Sequence, residues 1–586
     1  MYPAETRSRQ STNSPSGTKY YEMYNTSFDA IKLSIDGAEG VVLVNWRKAQ
    51  QTNDSYTYAI DLGTSNTFIS RTKNGQNEAP VQLDMTEAMT SYLHEYRKDG
   101  QYSEAYYVEN AMPDGIRNSV VTEFAPPLID GIIYDFPIRT ALCRVKGTSS
   151  EASLFDNTNI AFFYEKALQS TLQEILTDIK WEENKSRLSV FVQELMLIIK
   201  ADILQRDGVL SQTKLVRFRP LSFDGNIKKL NDDIWKAIPE QVFGVKPLSI
   251  ECYTESEAPY YYFKKRNIVN NTDSVTIIDI GGGSTDFVYF EANKPLIASS
   301  VHFGCDELWG EGHIDFENVR ENGIFQKYSQ AILFKDKNLA SINSSMIVDS
   351  KVSAKNIINF WLTNQKQCDI NEKLRNDYAP LFVYHFTALI YYIASLYKFK
   401  GLNAPRTIVF SGNGSQYIDN YITDDKEITQ SIIKLIFDKV YDVECPPIYV
   451  TLPNDRKEST CYGGLYKDPT IGNVPEFVYH GNDKEYETAK QLIEDNTLMP
   501  KLLEKYKEMN SIYLSILTFL KKKGIIDRSH NIQPFTDIIN DNFENNFSTH
   551  FRSEVEEKYQ AADDVCNDSV FFIPIIDKIF ELTRVI

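Results

Sequence analysis

Val275-Thr-Ile-Ile-Asp279-Ile-Gly281-Gly282-Gly283-Ser284-Thr285-Asp286-Phe-Val-Tyr-Phe290 is the stretch that decides the fold. An apolar strand ends in an aspartate. A turn of three glycines and two hydroxyl residues follows, and then a second strong strand. Glycine inside a β pattern costs stability, and a tight hairpin needs one or two, not three. Successive backbone N–H groups and hydroxyls in such a turn can converge on one anion. A strand, not a helix, follows the turn, and GxxxxGK[ST] is absent, so neither a Walker A loop nor a dinucleotide fingerprint is present.

The same pattern occurs upstream. Tyr58-Ala-Ile-Asp61-Leu-Gly63-Thr64-Ser65-Asn66-Thr67-Phe-Ile-Ser70 is again strand, aspartate, small polar turn, strand. Asp61 and Asp279 each stand where a strand-end carboxylate can hold Mg2+ through its water shell. Downstream, Thr407-Ile-Val-Phe-Ser411-Gly412-Asn413-Gly414-Ser415-Gln416 leads a strand into a glycine turn, which alone is only a turn signal.

Together the three segments resemble the phosphate-1, phosphate-2 and adenosine motifs of the actin, heat-shock chaperone and sugar or acetate kinase superfamily of ATPases. Their order agrees, and so does their spacing: Asp61 and Asp279 lie 218 residues apart, Asp279 and Gly412 133 apart. The likeness spans Tyr56 to about Gly464, and YAIDLGTSNTFIS is most similar to the DnaK-type chaperone and bacterial actin versions.

The resemblance implies an α/β fold of two ribonuclease-H-like lobes that binds ATP or ADP with Mg2+. Gly63, Thr64, Ser65 and Asn66 would meet phosphate, as would Gly281, Gly282, Gly283, Ser284 and Thr285. Gly412, Asn413, Gly414 and Ser415 would meet adenosine. Asp61 and Asp279 would hold the hydrated Mg2+. Thr254-Glu255-Ser-Glu257-Ala258 resembles the E-x-x-A start of the first connecting helix, which gives Glu255 the role of positioning the attacking water, with Glu257 as the alternative. Gly304–Leu308 resembles the turn after the second phosphate hairpin, and Lys457–Gly464 the second connecting helix. The catalytic lysine of chaperones has no clear counterpart; Lys180, in a strand-like Ile-Lys-Trp, and Lys146 are the candidates. The third motif lacks the arginine that chaperones stack on adenine, and Gln416 lies near that position.

Outward from the motifs, strand–helix alternation argues for α/β architecture. The expected divisions are a disordered lead at 1–25, a short β segment at 26–55, lobe I at 56–250, lobe II at 251–474 and a helical region at 475–586. The short β segment holds two strands at 28–47. Two strands do not fold alone, so they pack on the next part of the chain or close a β domain that begins upstream. In the last region Leu503, Tyr506, Met509 or Asn510, Tyr513, Ile516 or Leu517 and Leu520 form a helical stripe, with Lys521–Lys523 and Gly524 as its C-terminal signals.

The 586 residues are 42% hydrophobic and 12% aromatic, enough for large cores. With 62 Lys and Arg against 80 Asp and Glu, the net charge is −18, which argues against nucleic acid as a partner. Any bound anion must be held locally. Seven cysteines without a CxxC support neither a disulfide framework nor a zinc site, which suits a reducing cytoplasm. Seven histidines form no metal-spaced pair. Leu381–Tyr397 is apolar but carries His385 and four tyrosines along its length, as a buried helix does and a membrane span does not.

The function expected from the resemblance is a chaperone-like ATP-hydrolysing switch, with a protein partner reached through the N-terminal β segment or the helical tail. An actin-like filament ATPase is the alternative, and a small-molecule kinase or a non-hydrolysing scaffold of the same fold would come after it. No chaperone β-sandwich follows Gly464, so client-peptide binding does not carry over.

Overall fold

The computed structural model describes chiefly residues 52–84, 136–162 and 173–466, with short gaps. It also describes 498–526, 532–540 and 571–585 and isolated strands within 5–43, 93–133 and at 477–478. The chain forms two compact units, residues 1–217 with 225–252 and residues 218–224 with 253–586.

The first unit is built on a sheet opened by the Asp61 segment. Strand β1 (Tyr56–Leu62) pairs antiparallel with β2 (Asn66–Lys73), Leu62 opposite Thr67, and β3 (Ile138–Arg139) pairs antiparallel on β2. After helix α1 (Lys185–Gln205) the chain returns as β4 (Lys214–Arg219), parallel to β1. Helix α2 (Gly225–Phe243) then leads to β5 (Ser249–Thr254), and the strands lie in the order β3-β2-β1-β4-β5. Asn184 caps α1, its side chain accepting from the Ser186 N–H.

Helix α1 packs its apolar residues inward and carries two buried carboxylates, Glu194 and Asp202. Glu194 Oε2 accepts from the Ile160 N–H at 2.5 Å. For Asp202 the partners are side chains. Oδ2 accepts from the Tyr58 hydroxyl at 2.6 Å and from Arg71 Nε at 2.9 Å, and Oδ1 accepts from Arg206 Nε at 3.0 Å. These partners offset the desolvation of the charge and pin α1 to β1. Tyr58→Phe deletes one charge-assisted bond in this core. It is expected to lower stability by about 2 kcal/mol, measured by urea unfolding.

The second unit repeats the topology. After α3 (Ala258–Lys265), strands β6 (Ser274–Ile280), β7 (Thr285–Glu291) and β8 (Lys294–Val301) form an antiparallel meander. The 30-residue helix α4 (Ile370–Phe399) returns the chain to β9 (Thr407–Ser411), parallel to β6. Helix α5 (Lys426–Tyr441) leads to β10 (Tyr449–Thr451), parallel to β9, and α6 (Ser459–Leu465) follows. The order β10-β9-β6-β7-β8 is that of the first unit, with each unit's first glycine turn joining its first two strands. Two ribonuclease-H-like units, each opened by an Asp-Gly hairpin, constitute the α/β actin-like ATPase fold that the motifs imply.

Alternation along β6 separates two faces. Val275 and Ile277 pack with Tyr260–Phe263 of α3, while Thr276 donates to the Tyr397 hydroxyl of α4 at 3.1 Å. The tyrosines of α3 are therefore core. Helices α3 and α6 touch at Gly463, where a Cβ would stand 1.8 Å from the Ala258 carbonyl oxygen. Only glycine permits that approach.

Helix α4 is the one described helix long and apolar enough to cross a membrane, and 94% of its apolar window is buried inside the fold. It carries His385, 0% exposed, whose pKa burial pushes down from 6.5 to about 4. The folded ring stays neutral while the unfolded one protonates near 6.5. Stability from this site is complete above pH 6.5 and falls as pH drops toward 4, by about 3 kcal/mol in total. Urea unfolding at pH 7 and 4.5 is expected to show a larger acid loss for the native chain than for His385→Phe.

The helical tail joins the second unit. A short strand, β11 (Phe477–Val478), pairs parallel on the edge of β8. Helix α7 (Leu498–Lys523) lies on α4, with the Tyr513 hydroxyl donating to the Pro380 carbonyl at 3.1 Å. Its stripe of Tyr506, Met509, Tyr513, Ile516, Leu517 and Leu520 is buried, joined by Leu502 where the sequence pattern pointed to Leu503. Gly524, with φ 75°, ends the helix. Helix α8 (Ile573–Thr583) packs its apolar face into the same unit.

At the N-terminus, the expected strands at 28–47 form a hairpin of Ala30–Ile35 with Ala38–Leu43. The lead expected to be disordered holds a second antiparallel pair, Glu5–Ser11 with Ser14–Glu22.

Candidate functional site

In the first unit the Gly63–Ser65 turn joins β1 to β2, which starts at Asn66. Asp61 is 7% exposed at the strand end, opposite Phe68. The turn is held from outside. Trp181 Nε1–H donates to Thr64 Oγ1 at 3.1 Å, and the Thr140 N–H donates to the Ser65 carbonyl at 3.0 Å. Within this unit, and among the described residues, the N–H groups of Gly63, Thr64 and Ser65 have no acceptor. Ile179–Trp181 is one turn of 3-10 helix where a strand was expected, because its own bonds are local. It brings the buried Lys180 into the same turn as Trp181. Lys146 lies outside the described residues.

In the second unit the Gly281–Ser284 turn is clamped by the chain after β8. The Cys305 N–H donates to the Gly281 carbonyl at 3.0 Å and the Asp306 N–H to the Gly282 carbonyl at 2.8 Å. Gly304 lies so close that a Cβ there would stand 2.1 Å from the Gly282 carbonyl oxygen and 2.8 Å from the Ser284 nitrogen. The clamp consumes carbonyls and leaves amides: among the described residues of this unit, the N–H groups of Gly282, Gly283 and Ser284 have no acceptor. Three successive amides without an acceptor on a glycine turn are an arrangement that can hold an anion, and the Gly63–Ser65 turn repeats it. Thr285, by contrast, is turned inward, its hydroxyl donating to the Phe303 carbonyl at 2.7 Å.

Asp279 lies on the α3–α6 face of the sheet, in register with Ser411 of β9. Its Oδ2 accepts from Ser411 Oγ at 2.8 Å and Thr460 Oγ1 at 3.3 Å. The pairing brings the second and third motifs to adjacent strand ends. Beyond Ser411, Asn413–Ser415 form a 3-10 turn in which Ser415 Oγ donates to the Gly412 carbonyl at 2.8 Å, and Gln416 Nε2 donates to Asn413 Oδ1 at 2.6 Å.

Asp286 stands directly across β7 from Asp279, 2% exposed. Residues directly opposite in an antiparallel pair share a face, so the hairpin carries two carboxylates on one face. The sequence reading passed over Asp286. The spacing of Asp279 and Asp286 about three glycines was the available signal, since a hairpin turn centred there sets them opposite.

The Glu255 and Glu257 alternatives differ in their surroundings. Glu257 is held in the turn before α3 by hydroxyls: Oε2 accepts from Thr254 at 3.1 Å and Oε1 from Tyr261 at 3.0 Å. Glu255, 9% exposed, is anchored through its backbone, its N–H donating to the Arg219 carbonyl at 3.1 Å.

Among the described residues no cluster of three or more His, Cys, Asp or Glu could grip a metal directly. The donors at the turns are carboxylates and hydroxyls in small numbers. That set suits a hard cation that keeps most of its waters, and does not suit zinc.

No protein-family model and no curated protein matches the chain. Solved structures do. MreB5 of Spiroplasma citri bound to ADP aligns at 9% identity and TM-score 0.31, covering 70% of this chain and 95% of that one. The apo psk41 ParM protein aligns at 10% identity and TM-score 0.32, covering 71% and 97%. A MamK double helical filament aligns at 13% identity and TM-score 0.28, covering 70% and 98%. The fold assignment rests on the strand order and hairpins described above.

Proposed function

We propose that this chain is an ATP-hydrolysing switch that works with Mg2+. The observation that supports it is the duplicated arrangement of a strand-end aspartate beside a turn with three unpaired amides. Backbone nests hold phosphate without cationic side chains, which reconciles anion binding with a charge of −18. Gly63–Asn66 and Gly281–Ser284 would take the phosphates and Gly412–Ser415 the adenosine. Asp61 and Asp279 would hold hydrated Mg2+, which when bound neutralises charge on the transferring phosphoryl group. Glu255 would position the attacking water, by the E-x-x-A spacing. Phosphoryl transfer needs mainly positioning and charge stabilisation, and this set has no nucleophilic role to fill.

Two outputs remain for such a switch. The chaperone-like one needs a client-binding module. Among the described residues the tail helices are built into the core of the second unit and form no such module. The second output is nucleotide-dependent self-assembly of the actin-like kind. Phosphate release from ATP, with and without Mg2+, tests the switch; light scattering with ATP against ADP tests assembly. Mg2+-independent or absent release would overturn the first, and unchanged scattering the second.

A further inference from the structure

We infer that His385 is a positioning residue of the nucleotide site, joining the clamp of the second phosphate hairpin to the adenosine segment. The inference rests on the ATP reading above and adds a residue that no motif contains.

His385 is the polar ring in the apolar middle of α4, fully buried. A buried imidazole needs partners for both nitrogens. Nε2 lies 3.0 Å from the Gly304 carbonyl oxygen, which can only accept, so Nε2 carries the hydrogen. Nδ1 therefore presents a lone pair, and the Tyr417 hydroxyl, 2.9 Å away, donates to it. Burial keeps the ring neutral, as this tautomer requires. Phe303 stacks on the ring at 4.3 Å between centroids and Tyr417 meets it edge-on at 5.2 Å, which fixes its plane.

The two partners belong to different parts of the site. Gly304 is the residue whose backbone lies against Gly282 and Ser284, and Cys305 and Asp306 after it hold the Gly281 and Gly282 carbonyls. Tyr417 directly follows Gly412–Gln416, the segment expected to meet adenosine. One neutral ring thus holds the nest amides of Gly282–Ser284 in fixed relation to the third glycine turn. A nucleotide that uses both parts gains from that relation; a ligand that uses one part does not.

Calorimetric titration of the full chain tests this with three probes: Mg-ADP, pyrophosphate with Mg2+, and adenosine. The variants are His385→Phe, Tyr417→Phe and the double variant, and thermal melting of each accompanies the titrations. Each single variant is expected to weaken Mg-ADP about tenfold, with the double variant no weaker than His385→Phe, because both delete the same link. Affinity for adenosine and for pyrophosphate should stay within about threefold. Tyr417→Phe leaves the ring and its packing in place, so it reports even if His385→Phe unfolds. Unchanged Mg-ADP affinity with a lowered melting temperature would overturn the inference, as would equal weakening of all three probes. If the native chain binds none of the three, the ATP reading itself falls.

Discussion

Asp279→Ala is expected to cut Mg-dependent phosphate release from ATP by about 100-fold or more while the fold survives. The carboxylate sits at the end of β6 with Asp286 opposite, and its bonds to Ser411 and Thr460 come from hydroxyls. Hydroxyls can turn to other partners: Ser411 Oγ already lies 2.8 Å from Ser459 Oγ. Removing the aspartate therefore leaves Ser411 with a partner in reach. What it removes is the proposed anchor for hydrated Mg2+ and the charge stabilisation that goes with it, an effect of this size in other preorganised sites. Asp279→Asn keeps the shape and an acceptor for Ser411 but not the charge, and it should be nearly as slow. Release rates within about threefold of the native chain would remove Asp279 from the mechanism.

Gly304→Val is expected to weaken nucleotide binding by about 100-fold and to cost about 2–3 kcal/mol of stability. The obstruction is backbone: the Gly282 carbonyl oxygen at 2.1 Å, its carbon at 2.6 Å and the Ser284 nitrogen at 2.8 Å. No rotamer change relieves such contacts. The phosphate hairpin must move, and its amides with it. Gly40→Ala, where nothing lies within 4 Å of the new Cβ, is the control and should change neither quantity. Calorimetry and urea unfolding read both effects. Intact nucleotide affinity in Gly304→Val would mean that the clamp does not set the nest.

Both predictions rest on features of different legibility. The hairpins at Asp61 and Asp279 were readable because strand, glycine turn and strand are local, and the pattern occurs twice. The adjacency of the third motif was not local. It depends on β9 pairing with β6 across 132 residues between Asp279 and Ser411, and the resemblance, not periodicity, pointed to it. The third strand of the first unit, Ile138–Arg139, is two residues long and too short for any alternation to show. The 3-10 turn at Ile179–Trp181 looked like a strand because three residues carry no period.

His385 and Gly304 show the limit most clearly. In sequence His385 argued only against a membrane span, and Gly304 opened a stretch that resembles the turn after the second phosphate hairpin, with nothing local to show what it touches. Their roles come from the bonds of His385 to groups 81 and 32 residues distant in the chain, the Gly304 carbonyl and the Tyr417 hydroxyl. The tail was read correctly as helical with a buried stripe. That its partner would be α4 of the second unit follows from long-range packing, which a single helix pattern does not encode.

The proposal stands or falls on whether the chain binds an adenine nucleotide. Titration of the full chain with Mg-ATP, followed by calorimetry and by the fluorescence of Trp181, whose indole touches Thr64, tests it most directly. The expected result is saturable binding of one nucleotide per chain, displaced by ADP, with a fluorescence change that Trp181→Phe abolishes. Absence of heat and of fluorescence change up to millimolar Mg-ATP would contradict the account.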